Sequence, residues 1–244
     1  MKVYLNRIDG IDDAILTMLL SKRHLTREEE MRIRDKVRLY SATKISREYP
    51  LGALCGCDEE LHDWLTKLFG WGWTHITLPR FIDLSFTVYG LHRGGQDDLD
   101  AHSMRMNNRI IRESTRLGDF KEGEMSEWYQ GKIIPTDIAL AHLGINVPKE
   151  IEHDGQIYVK GVNGYILKGH ENDKDYKRGL LMLSIPSCFI FRMNLTEYAH
   201  MYKERNENGS ANPEVKIAAE DMTDQVEKGT LGFANREWLL KVKN

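Results

Sequence analysis

The chain has 244 residues, 41% of them hydrophobic, and 34 lysines and arginines against 37 aspartates and glutamates leave a formal charge of -3. That length holds one large core or two modest ones. The near balance of charge excludes the global basic field of a nonspecific nucleic-acid binder, so basic residues that cluster locally point to a small anionic ligand.

The opening MKVYLNRIDGIDD has no apolar signal core, and no uninterrupted apolar run reaches membrane-spanning length. Residues 12–20, DDAILTMLL, open with acids and continue as an apolar, buried helix. Residues 26–39 begin Thr26-x-x-Glu29, a capping-box pattern ahead of a mixed-charge, exposed helix. Cys55, Cys57 and Cys188 cannot all pair within one chain. The C-x-C has no second cysteine pair to close a zinc site, so reduced thiols and a cytoplasmic location are expected. Residues 58–69 place Leu61, Trp64, Leu65 and Leu68 at helical spacing, with Gly70 as the stop. Trp71, Trp73, Phe81 and Phe86 read as core aromatics, with a surface for stacking a flat ring as the competing reading. In 81–89, Ile82, Leu84, Phe86 and Val88 alternate with Asp83, Ser85 and Thr87, which predicts a strand.

Arg105, Arg109, Arg112 and Arg116 follow at spacings of four, three and four. On a helix they share one face within roughly 60°. Guanidinium groups so close repel one another and call for carboxylates or a phosphorylated ligand. Asp97, Asp98 and Asp100 precede or open that helix and suit capping, and Glu113 serves only Arg109 at i,i+4. A solvated basic face is the competing reading. Residues 144–169 are loop and hairpin, with Asp154 and Gly155 as the turn. A helix is expected from Asp173 toward Pro186, and two more after it. The first opens Asn194-x-x-Glu197, buries Leu195, Tyr198, Ala199 and Tyr202, and carries Arg205 at its far end. The second opens Asn212-Pro213-Glu214.

Arg178, Asn194, Arg205 and then Ala211-Asn212-Pro213-Glu214-Val215 resemble the carboxy-terminal pattern of the flavin-dependent thymidylate synthases. In that family an arginine near Leu-Pro is followed by an asparagine opening a helix that ends in arginine, then Ala-Gln-x-Glu-Ile. The turn after Arg205 is one residue longer here, and the family's Leu-Pro falls on Leu181-Met182. His75-Ile76-Thr77-Leu78-Pro79 is similar to the family's His-x-(Ser/Thr)-Pro with one residue inserted. The central motif, Arg-His-Arg-x-x-Ser-x-Asn-Glu-x-Ser-x-Arg, aligns on Ser114 and Arg116. Its opening triplet then falls on Met104-Arg105-Met106, its inner serine on Arg109, its asparagine on Ile111 and its glutamate on Arg112.

The resemblance implies one synthase-like α/β (α+β) domain over 1–244, with an antiparallel sheet flanked by long helices. It also implies a homotetramer whose sites are shared between chains. It makes Arg205 the catalytic residue, acting on the pyrimidine ring. Arg178, Ser114, Arg116 and Arg112 are the expected contacts to the nucleotide, and His75, Arg105, Arg109 and Asn194 those to the cofactor. The implied reaction carries a one-carbon unit from methylene-tetrahydrofolate to C5 of a pyrimidine nucleoside monophosphate, dUMP to dTMP, with FAD as hydride carrier and NADPH as its reductant. No metal, nucleic acid or membrane is called for. The altered central motif leaves two alternatives: a pyrimidine nucleotide hydroxymethylase, which omits the final hydride, and a non-catalytic nucleotide-binding protein.

Overall fold

The computed structural model describes residues 1–46, 48–100, 109–112, 114, 124–161, 163–173, 180–207 and 211–242. In chain order the strands are β1 (Lys2–Asp9), β2 (Asp83–His92), β3 (Arg109–Arg112), β4 (Glu150–His153), β5 (Gln156–Lys160), β6 (Tyr165–Leu167) and β7 (Pro186–Asn194). The helices are α1 (Ile11–Leu20), α2 (Arg27–Tyr40), α3 (Glu59–Gly72), α4 (Arg93–Asp100), α5 (Thr136–His142), α6 (Leu195–Glu207), α7 (Pro213–Gly229) and α8 (Arg236–Lys241). One sheet has the order β1-β2-β7-β3 and a second the order β4-β5-β6, so the fold is mixed α/β as expected. Among the described residues no helix is long and apolar enough to cross a membrane.

The chain divides into two compact units. One comprises Lys2–Val88, Asp98–Ile111 and Phe189–Asn244. Its strand β1 was not legible in the sequence, because Val3 and Leu5 are buried in one phase and Ile8 in the other. Gly10 joins β1 to α1 at φ 80°, and a Cβ there would stand 1.9 Å from the Phe81 carbonyl oxygen, so only glycine fits. The capping box of α2 is present, with Thr26 and Glu29 bonding each other's backbone. Helix α3 starts at the Asp58 cap and runs through Gly70 to Gly72, past the expected stop. Gly70 lacks the left-handed φ that would end a helix. Ile82 just before β2, and Leu84, Phe86 and Val88 on it, are wholly buried, and Phe86 stacks on Phe191 at 5.2 Å and on Tyr198 at 5.7 Å. Of the four aromatics read as core, only Phe86 is. Trp71 and Trp73 are half-buried and Phe81 is exposed, because the helix end and turn that carry them lie at the surface.

Helix α6 buries the predicted Leu195, Tyr198, Ala199 and Tyr202. The Tyr198 hydroxyl lies 2.7 Å from Thr223 Oγ1 on α7, and burial pushes its phenol well above the usual range. Trp238 on α8 donates its indole N–H to the Phe69 carbonyl on α3 at 2.8 Å, tying the last helix to the core.

The other unit comprises Met1, Tyr89–Asp97 and Arg112–Cys188. Its hairpin turns where predicted: His153 pairs with Gln156, and Asp154 and Gly155 both have positive φ, 52° and 72°, as a two-residue turn of the primed type requires.

Two expectations are overturned. Arg109 and Arg112 lie on the strand β3, not on a helix, and the β-branched Ile110 and Ile111 between them favour that state. A strand repeats every two residues, so a spacing of three no longer gathers these arginines into one row. Arg105, Glu113 and Arg116 lie outside the described residues. Asp97, Asp98 and Asp100 stand in the last turn of α4 rather than at a helix start. Of the helix expected toward Pro186, residues 180–185 are turn, bend and coil. Residues 174–179 lie outside the described part, and from Pro186 the chain is the strand β7, with Ser187, Phe189, Phe191 and Met193 buried in alternation. Proline opens it at no cost, since a first strand residue need not donate to the ladder.

Candidate functional site

The larger unit carries its candidate groups at the two ends of α6. At the start, Asn194 Oδ1 accepts the Glu197 backbone N–H at 3.0 Å, the cap that the spacing predicts. Thr196 Oγ1 donates to the Ile76 carbonyl at 3.0 Å, which brings the segment after His75 to this helix start. His75 and Asn194, both expected at the cofactor, therefore share one end. His75 is exposed, with its backbone N–H on the Trp71 carbonyl at 2.8 Å and its ring 6.0 Å from that indole. Asn194 is buried, and its side-chain oxygen is taken by the cap. Burial raises the Glu197 carboxyl above the usual glutamate range, against hydrogen bonding to Asn194 and the charge of Arg80. Glu197 Oε2 itself is buried without a partner.

Arg205 sits in the last turn of α6, eleven residues beyond Asn194. At 1.5 Å per residue that is about 16 Å, so the two cannot touch the same atom of a small ligand. The Arg205 guanidinium donates through Nη2 to the Asp98 carbonyl, in the last turn of α4, whose final carbonyls have no partner within the helix. The negative end of that helix, with Asp97 and Asp98 beside it, attracts the cation. Arg205 Nε is buried and has no partner among the described residues. The helix beneath is held firmly: Tyr202 donates to Glu220 Oε1 on α7 at 3.1 Å, and Glu220 in turn accepts from Arg236 at 2.9 Å. Burial, then the charge of Glu220, pushes the Tyr202 phenol up to about 12.

Of the expected nucleotide contacts, Ser114 is exposed and Arg112 lies on β3, while Arg116 and Arg178 fall outside the described residues, as does Arg105 of the expected cofactor set. In the smaller unit the structure adds a residue that no sequence pattern flagged. Gln96 is fully buried; its Oε1 accepts from Ser187 Oγ at 2.8 Å, while Nε2 has no partner. A buried amide N–H left unpaired costs about 1–3 kcal/mol. An ordered water is one ordinary way such a group is completed. Among the described residues Cys55, Cys57 and Cys188 form no disulfide, and no cluster of His, Cys, Asp or Glu could hold a metal ion.

No protein-family model matches the chain, and no curated protein sequence does. Solved structures do. The flavin-dependent thymidylate synthase ThyX from Helicobacter pylori, complexed with FAD and dUMP, aligns with a TM-score of 0.54 over 97% of this chain and 100% of its own, at 12% identity. A second structure of that enzyme, also with FAD and dUMP, gives 0.53 at 14% identity, over 98% of this chain and 99% of its own. A UMP/dUMP methylase, PolB from Streptomyces cacaoi, bound with 5-Br dUMP, gives 0.53 at 12% identity over 96% of this chain and 93% of its own. The chain thus has the fold of the flavin-dependent thymidylate synthases, end to end and at remote identity.

Proposed function

We propose that the chain, acting as one synthase-like domain over residues 1–244, transfers a one-carbon unit from methylene-tetrahydrofolate to C5 of a pyrimidine nucleoside monophosphate, converting dUMP to dTMP. FAD supplies the hydride when bound, and NADPH reduces it. The observation that carries the reading is Arg205: a guanidinium fixed at one nitrogen by the Asp98 carbonyl, with Nε unpaired, on a helix end braced by Tyr202 and Glu220. Such a group stabilises charge that develops on a pyrimidine ring oxygen as C5 becomes nucleophilic, and it needs no protein nucleophile. Ser114, Arg116, Arg178 and Arg112 are proposed to hold the phosphate, where a hydroxyl and guanidinium groups make a coherent anion site.

Fit to FAD is tested at His75. Its exposed imidazole beside the half-buried Trp71 offers an aromatic surface suited to a flat ring. Arg105, Arg109 and Asn194 complete the proposed set. The Asn194 carboxamide oxygen is already committed to its cap, so any contact to the cofactor falls to the nitrogen. The assembly is proposed to be a homotetramer with sites shared between chains.

The test is anaerobic incubation with FAD, NADPH, methylene-tetrahydrofolate and each pyrimidine monophosphate, followed by mass analysis of the nucleotide. A methylated nucleotide is expected. A hydroxymethyl product would move the assignment to a hydroxymethylase, the alternative that the altered central motif leaves open. An unmodified nucleotide, with no binding of FAD or of any monophosphate, would overturn the enzyme reading.

A further inference from the structure

We propose that Cys55 and Cys57 form a dithiol site that exchanges with small disulfides such as glutathione disulfide and closes into a reversible intrachain disulfide. Both thiols lie in the irregular link between α2 and α3, and that link is pinned on either side of them. On the near side, Leu54 donates its backbone N–H to the Gly229 carbonyl at 2.9 Å and Cys55 donates to the Tyr40 carbonyl at 2.8 Å. On the far side Asp58 caps α3. Its Oδ1 accepts the Leu61 backbone N–H at 2.9 Å, and its Oδ2 accepts from the Lys36 ammonium of α2 at 2.8 Å. Between these anchors the backbone of Gly56 and Cys57 makes no hydrogen bond among the described residues. Two residues fully extended span about 7 Å at most, and a disulfide takes Cα atoms about 4.4–6.8 Å apart. A bend at Gly56 therefore closes the pair and leaves both anchors in place.

Gly56 supplies a second, independent observation. Its φ lies outside the left-handed region, and a Cβ there would meet only Tyr40 Cδ1, at 3.8 Å, an ordinary contact. Gly52 is the contrast: a Cβ there would stand 2.0 Å from the Ile8 carbonyl oxygen. The dithiol form thus makes no demand for glycine at position 56. Ring closure does, because a single residue between two bonded cysteines must take a tight turn that glycine reaches most readily.

Exposure divides the labour. Cys55 is exposed, and its thiol makes only a long contact to the Ala53 carbonyl, at 3.7 Å, so an incoming disulfide meets it first. Cys57 is half-buried and stands two residues on, placed for the second step. The Cys55 thiolate attacks one sulfur of glutathione disulfide, forming a mixed disulfide and releasing a glutathione thiolate. The Cys57 thiolate then attacks the Cys55 sulfur and expels the second glutathione thiolate. The protein dithiol is oxidised, glutathione disulfide is reduced, and the two protons pass to the departing thiolates.

The test incubates the full chain with glutathione disulfide, blocks the remaining thiols with iodoacetamide and maps each cysteine by mass spectrometry. Wild type should yield a peptide spanning Cys55 and Cys57 that is two hydrogens lighter, unalkylated, and restored by dithiothreitol. Cys188→Ser should give the same product, and Cys57→Ser should stop at glutathione bound to Cys55. Gly56→Val, whose Cβ has room in the dithiol form, should slow closure about ten-fold or more and let the mixed disulfide accumulate. The site is refuted if wild type retains glutathione on Cys55, pairs either thiol with Cys188, or leaves both thiols open to alkylation. Closure of Gly56→Val at the wild-type rate would overturn the argument from the turn.

Discussion

Replacing Arg205 by alanine sets two stability effects against each other, and their balance is the useful number. The substitution deletes a charge-assisted hydrogen bond to the Asp98 carbonyl, worth about 1.5–3 kcal/mol. It removes a cation from the C-terminal end of α4, worth a further 0.3–1 kcal/mol or so. It also removes the buried, unpaired Nε, whose desolvation costs about 1–3 kcal/mol while it stays unsatisfied. The sum is a loss of only about 1 kcal/mol, small for a half-buried arginine bonded across 107 residues. Turnover should behave very differently, falling about 10²–10³-fold as for loss of one preorganised donor to a developing oxyanion. Arg205→Lys should recover stability, since an ammonium still serves the α4 carbonyl, and leave turnover low, since it lacks the planar fork. Urea unfolding and single-turnover rates on the same preparations read both effects. A stability loss beyond about 3 kcal/mol with turnover untouched would show that Arg205 is a structural clamp and nothing more.

Burial, the largest influence on Glu197, raises its folded-state carboxyl above the unfolded value. Its favourable contribution is therefore present below the unfolded pKa and lost as pH rises through the folded one. Glu197→Gln should be more stable than wild type at neutral pH, with the gain shrinking as pH falls into the ordinary glutamate range; thermal unfolding across that range would expose a pH-independent difference if the reasoning is wrong. Asn194→Ala and Asn212→Ala each remove a side-chain cap, at 3.0 and 2.9 Å, and should each cost about 0.5–2 kcal/mol. Only Asn194→Ala should also weaken FAD, and equal FAD affinity in the two variants would remove Asn194 from the cofactor set.

What the sequence made legible were signals that act within a few residues. Thr26 with Glu29, Asn194 with Glu197, and Asn212 with Pro213 and Glu214 mark helix starts, because a cap is satisfied by its own first turn. Asp154 and Gly155 fix their turn by backbone sterics alone. The strands β1 and β7 were hidden for opposite reasons. In β1 the buried phase slips between Leu5 and Ile8, beside the bridge from Arg7 to Leu51, so no single alternation runs through it. In β7 the exposed Ile190 fills the apolar run, and alternation disappears into it.

The arginine spacing misled because it carries meaning only once the backbone state is known. A spacing of three, as between Arg109 and Arg112, is one face on a helix and two faces on a strand, and Ile110 with Ile111 decided for the strand through pairing in a sheet whose partner, β7, lies far along the chain. The acids just before it show the same dependence from the other side. Asp97 and Asp98 suit a helix start, yet they stand at a helix end, where acids and dipole repel. The larger unit offsets that misfit with Arg205, brought in from the end of α6. A cation recruited to stabilise an unfavourable helix end is held in place before any ligand arrives. Preorganisation of that kind is what makes a donor effective toward charge that appears only during reaction. The acidic end of α4 and the lone arginine of α6, each unremarkable in sequence, become a candidate catalytic pair only through the fold.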